Sequence, residues 1–225
     1  ENPTGWVAKD DEMRSLVELC GSKGMTLIHD EVYDQLCFAR PHRPAGQIGG
    51  LDHVVQINSF SKKFGVPGLR MGWLIAGAKT TAIAAKAQDY TTLAVAGMSE
   101  RVAEGLLRHD GVEVWLKAIR DDMHARIRLT VDRLSAIEGF RFSNPIHGGM
   151  FAFPEVSGLA ERLKLPNNIP AGDAIAKWLL DTAGVAVVPG SVYGREGASS
   201  VRLVLCPRHD DLITALDRIE HAARS

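Results

Sequence analysis

Apolar residues recur along this chain with two different periods, and the alternation between them outlines its architecture. After the turn signal Asn2-Pro3-Thr4-Gly5, Met13, Leu16, Val17 and Cys20 share one helical face, so a helix is predicted from Asp10 or Asp11 to about Lys23, ended by Gly21 and Gly24. Met25 to His29 is a short apolar run suited to a buried parallel strand, and it delivers Asp30 and Glu31 to its carboxyl end. Strand character returns at Val54 to Asn58 and at Met71 to Ala76. Helices and strands therefore interleave as a parallel α/β sheet demands.

Beyond Gly77 the pattern changes. Ala78 to Gln88 and Ser99 to Leu107 are helical in composition, and Val112 to Ile137 is one long periodic helix, long enough to bridge two domains. Short strands follow at Phe140 to Phe142, Gly149 to Phe153, Val185 to Val188 and Val201 to Leu205, with helices at Ala171 to Thr182 and His209 to Ala222. The expected division is a partial large α/β domain, 1–118, and a smaller α+β domain, 119–225, joined by the helix 112–137. No internal repeat or low-complexity stretch interrupts it.

Composition narrows the function classes. A formal net charge of −1 gives no electrostatic reason to expect a nucleic-acid or membrane partner, and no apolar run approaches a membrane span. Cys20, Cys37 and Cys206 have neither paired nor metal-ligand spacing, which fits reduced thiols in a cytoplasmic protein, and no metal site is expected. The first residue is Glu1 rather than methionine, so the chain is expected to be part of a longer polypeptide.

The chemistry concentrates between Ser59 and Gly72. Lys62 follows the strand-like Val54 to Asn58, and the carboxyl ends of strands in α/β proteins are where ligands collect. A lysine held near other cations or in an apolar pocket loses proton affinity and can form a Schiff base. Ser59, Ser61 and Arg70 offer two hydroxyls and a planar fork suited to a phosphate dianion. Asp30 could simply cap the next helix, and each serine could cap a turn. Lys63, beside Lys62, is expected to face solvent, Glu31 to be structural, and His29 and His147, without metal-ligand neighbours, to be structural as well. Arg202 in the apolar Val201 to Leu205 run would be costly to bury without a partner, either a ligand or an internal carboxylate.

Taken together, Asn2-Pro3-Thr4-Gly5, Asp30-Glu31-Val32-Tyr33, Ser59-Phe60-Ser61-Lys62 through Arg70-Met71-Gly72, and Ser200 to Cys206 resemble the class I/II, fold type I aminotransferases. The resemblance implies pyridoxal 5'-phosphate as cofactor, bound to Lys62 as a Schiff base, with Asp30 facing the ring nitrogen. It implies Tyr33 and Asn2 on the phenolic oxygen, Ser59, Ser61 and Arg70 on the phosphate, and Arg202, aided by Asn2, on the substrate carboxylate. It further implies ping-pong transfer between an amino acid and a 2-oxo acid, in a homodimer. The resemblance places a ring-stacking aromatic, a second phosphate loop and an amino-terminal arm upstream of this chain. Two alternatives keep the same residues: a carbon-sulfur lyase or synthase using the same cofactor, and a non-catalytic cofactor-sensing domain of a transcription regulator.

Overall fold

The structure, a computed structural model, describes residues 1–224, and the chain forms two compact units. One is Val7–Arg120. The other combines Glu1–Trp6 with the chain from Asp121 onward, so the opening turn belongs with the carboxyl-terminal residues rather than with the sequence that immediately follows it.

In the Val7–Arg120 unit, α1 (Asp10–Ser22) starts one residue after Lys9, whose backbone N–H is taken by the Glu12 carboxylate at 2.7 Å, and three acidic residues occupy its first turn. Both features favour a helix amino terminus. Its buried face, Met13, Val17 and Cys20, matches the apolar period of the sequence. Met13 and Val17 close on Ala45 and Ile48 of α2 (Ala45–Gly49) and on Val54. Strands β1 (Leu27–Asp30) and β2 (Val54–Ser59) pair in parallel, with Asp30 opposite Ile57.

The third strand, β3 (Gly72–Ile75), runs antiparallel to β2, with Gly72 opposite Ser59. This departs from the parallel arrangement expected of it. The link from Phe60 to Met71 holds only α3 (Phe60–Lys63) and a single 3-10 turn (Pro67–Leu69), without the crossover helix that a parallel return requires. Strand order is β1-β2-β3, and Ile28 on the edge strand β1 is 66% exposed, so this strand is not the buried one expected of Met25 to His29.

Helices α4 (Ala78–Thr91) and α5 (Gly97–Arg108) follow, and α6 (Val112–Ser135) carries the chain from this unit into the other. Phe60 and Phe64 are buried with Ala103 and Leu116 in a second apolar cluster.

The other unit is built on the later part of α6, whose Met123, Ile127 and Leu134 are buried, and on α9 (His209–Arg224), which buries Leu212, Leu216 and Ile219. Arg133 of α6 ties to Asp217 at 2.7 Å and Glu220 at 2.6 Å on α9. A small sheet places β6 (Val201–Val204) between β4 (Phe151–Ala152) and β5 (Val188–Pro189), antiparallel to both. The strand expected at Phe140 to Phe142 is reduced to a bridge between Arg141 and Glu155. Two short helices, α7 (Ser157–Arg162) and α8 (Ala171–Trp178), complete the layer, and a π-helical turn at Leu179–Ala183 continues α8.

Candidate active site

The parallel pair positions the first group of residues. At the carboxyl end of β1, Asp30 is exposed, and its Oδ1 accepts the Val32 N–H at 3.1 Å. Tyr33, half-buried, ends the turn that leads into the 3-10 segment Asp34–Leu36. At the carboxyl end of β2, Ser59 caps α3: its Oγ accepts the Ser61 N–H at 3.0 Å and donates to the Met71 carbonyl at 3.2 Å. This is the turn-capping role that a serine at this position can take.

Two adjacent lysines in α3 have different fates. Lys63 does not face solvent as expected from the sequence. Its Nζ pairs with Asp34 Oδ2 at 2.8 Å, the two side chains being only 16% and 12% exposed, and it lies 5.4 Å from the centre of the Trp73 ring. Lys62, half-buried, has no hydrogen-bond or ion-pair partner among the described residues. Its amine is therefore available. Arg70 is exposed and left-handed, with φ of 51°, and one arm of its fork donates to the Pro67 carbonyl at 3.1 Å. Bending back onto its own turn, it leaves the rest of the guanidinium open.

Glu31 is structural, as the sequence suggests. Buried behind β1, it accepts from the Gln56 side-chain amide at 2.9 Å, from the Ala45 N–H at 2.9 Å, and shares a proton contact with His29 Nδ1 at 2.8 Å. Burial alone would raise its proton affinity. The His29 and His42 imidazoles, the Ala45 N–H and the Gln56 amide outweigh that and hold the carboxyl well below the usual range. His29 thus belongs to this network.

The second group lies in the other unit. Asn2 sits in the opening turn, which is pinned by the Gly5 carbonyl accepting the N–H groups of His147 at 2.9 Å and Gly148 at 3.0 Å. Gly5 has φ of 74°, and a Cβ there would stand 2.5 Å from the Ile146 methyl, so only glycine fits. Arg202 of β6 donates from Nη1 to Asn2 Oδ1 at 2.9 Å.

The plane of that guanidinium is fixed by aromatic rings. Its centre is 4.7 Å from the Phe151 ring and 5.2 Å from the Tyr193 ring. Phe151 reaches it because Phe151 pairs with Val204, which shares a face of β6 with Arg202. Tyr193 is carried by the turn Gly190–Tyr193 and meets Phe153 edge-on at 5.9 Å. Arg202 Nε is buried with no partner, and no internal carboxylate pairs with this side chain among the described residues. Neither ring was singled out from the sequence. No spacing in the sequence pairs positions so far apart.

The fold is that of the large α/β, fold type I class. The chain belongs to the aminotransferase class I and II family, whose profile matches residues 1–219. Members of this family use pyridoxal phosphate.

Among curated relatives, it is 30% identical over 220 residues to an aspartate aminotransferase of Thermotoga maritima, covering 97% of this chain and 53% of that protein. It is equally 30% identical over 220 residues to an arginine–pyruvate transaminase of Pseudomonas aeruginosa, covering 97% of this chain and 53% of that one. A crystal structure of the Thermotoga maritima aspartate aminotransferase superposes with a TM-score of 0.83 at 29% identity, over 100% of this chain and 55% of that one. The chain thus spans about half the length of the relatives it matches. Among the described residues, no helix is long and apolar enough to cross a membrane.

Proposed function

We propose that this chain supplies the reactive lysine and the carboxylate-binding arginine of a pyridoxal phosphate-dependent aminotransferase, acting on an amino acid and a 2-oxo acid by a ping-pong route. The observation that carries the reading is the contrast within α3. Of two neighbouring lysines, Lys63 is committed to Asp34, and the amine of Lys62, the one that matches the family motif, has no partner among the described residues.

The residues present fit the cofactor. Lys62 has an amine to bond it, Asp30 an exposed carboxylate for the ring nitrogen, and Arg70 an open fork for its phosphate. Ser61, whose hydroxyl has no partner among the described residues, would add a donor to the phosphate, and Ser59 would do so by turning its O–H from the Met71 carbonyl; by the family resemblance, Asn2 and Tyr33 would hydrogen-bond the phenolic oxygen. When bound, pyridoxal phosphate supplies an aldehyde that bonds amines and a ring that accepts an electron pair.

The chain's own residues do the rest. With the cofactor bound, Asp30 would hold a proton at the ring nitrogen and so favour the cationic heterocycle. Lys62 Nζ removes the proton from the substrate α-carbon and later returns one, so it works as both base and acid. Arg202 binds the α-carboxylate, and its buried, unpartnered Nε is a donor held ready for such an anion. Phe151 and Tyr193 keep the fork in plane so that the carboxylate meets two donors at once.

A homodimer and a cytoplasmic location belong to the same reading. They rest on the family resemblance and on cysteines that form no disulfide among the described residues. In the full-length protein, Lys62→Ala should abolish both turnover and the imine absorbance of the bound cofactor; turnover that survives would overturn the role of Lys62. A product assay for 2-oxo acid and transferred amine, against ammonia or sulfide release, separates amino transfer from lyase chemistry.

A further inference from the structure

Two side chains that the proposed chemistry does not use stand directly beside two that it does. Asp34 follows Tyr33 and opens the 3-10 segment, while Lys63 follows Lys62 and closes α3. Their ion pair, 2.8 Å long and largely buried, joins the two segments that carry Tyr33 and Lys62. Asp34 Oδ1 is buried with no hydrogen-bond partner among the described residues. A desolvated pair with an unsatisfied oxygen is a poor source of stability. What it does well is hold one arrangement against others.

Such an anchor is needed here because α3 is only 4 residues long and one turn of helix cannot orient itself. Its start is fixed by the Ser59 cap. Its buried side is fixed by Phe60 and Phe64, whose rings stack at 5.2 Å and meet Trp73 at 5.2 Å and Trp115 at 6.1 Å respectively. Its end is fixed by Lys63, which the Trp73 ring and Asp34 hold between them. Lys62 shares that last turn, so the direction in which its side chain leaves the helix is set by what holds Lys63.

We infer that Asp34 and Lys63 are positioning residues whose buried ion pair fixes the rotation of the one-turn helix carrying Lys62, and with it the direction of the Lys62 amine. The inference rests on the assignment of Lys62 made above, and it adds two residues that touch neither cofactor nor substrate.

The test is the rate at which the cofactor-free, full-length protein captures added pyridoxal phosphate, followed by the imine absorbance that appears on bonding, with the thermal midpoint measured alongside. Asp34→Asn and Lys63→Met should each slow capture by at least about tenfold, and the double variant should be no slower than either single one. A bare charge effect would give opposite signs instead, because a nearby anion and a nearby cation push an amine's proton affinity in opposite directions. Unchanged rates, opposite effects, or losses that multiply in the double variant would each overturn the proposal.

Lys63→Arg, which keeps the charge, should recover most of the rate. Should Lys63→Met fail to fold, Asp34→Glu serves in its place: it keeps the charge but moves the carboxylate, so slower capture supports positioning and an unchanged rate refutes it. A Lys62→Ala control that still develops the absorbance would show that the assignment of Lys62 itself had failed, whatever the other variants do.

Discussion

Arg202 donates a hydrogen bond of 2.9 Å to the side-chain oxygen of Asn2, a residue 200 positions away. The opening turn and the strand β6 are thereby joined at the point where a carboxylate is expected to bind, and the Arg202 fork is gripped from one side by an amide and from its faces by two rings.

Removing that fork should cost binding rather than cofactor. Arg202→Ala should raise the KM for the amino acid by roughly ten- to a hundredfold, the equivalent of about 1.5–3 kcal/mol for a charged hydrogen bond, and leave cofactor retained. Arg202→Lys should recover little, because an ammonium lacks the planar fork. Steady-state kinetics with cofactor titration checks both, and unaltered KM would remove Arg202 from substrate recognition.

The turn that carries Tyr193 depends on a glycine. A Cβ at Gly190 would stand 2.0 Å from the Gly197 carbonyl oxygen and 2.6 Å from that of Ser200, both backbone atoms that cannot swing away. Gly190→Ala should therefore lower stability by roughly 1–3 kcal/mol and loosen the Tyr193 contact with Arg202. Denaturant titration, read together with KM, would show both; a variant with wild-type stability would mean that the backbone yields more easily than its contacts imply.

The sequence made the helices legible because their apolar positions recur with one period over many residues, as in α1 and α9. The reactive stretch was legible because Lys62, Ser59 and Arg70 stand close together in the chain. Three features were not. The direction of β3 depends on how a broken loop turns, which hydrophobic pattern does not encode. The burial of Lys63 depends on Asp34, 29 residues earlier, and adjacent lysines look alike until a partner is found for one of them. The aromatic grip on Arg202 joins β4 and the turn after β5, a pairing created by sheet register alone.

Glu31 predicts a particular acid sensitivity. Its carboxyl gives up its proton more readily in the folded chain than in the unfolded one. Its contribution to stability is therefore fully present above the unfolded glutamate range and is lost as pH falls below it, from about pH 4 downward. Glu31→Gln should cost about 1–3 kcal/mol at neutral pH and flatten the acid limb of a plot of thermal midpoint against pH. An acid limb as steep as that of the unaltered protein would place the sensitivity elsewhere.

The central claim is that one lysine of an adjacent pair bonds the cofactor. The most direct measurement is to load the full-length protein with pyridoxal phosphate, reduce it with borohydride, digest it and locate the modified lysine by mass spectrometry. The account predicts a single phosphopyridoxyl group on Lys62. Modification of Lys63, or a label scattered over surface lysines, would contradict it.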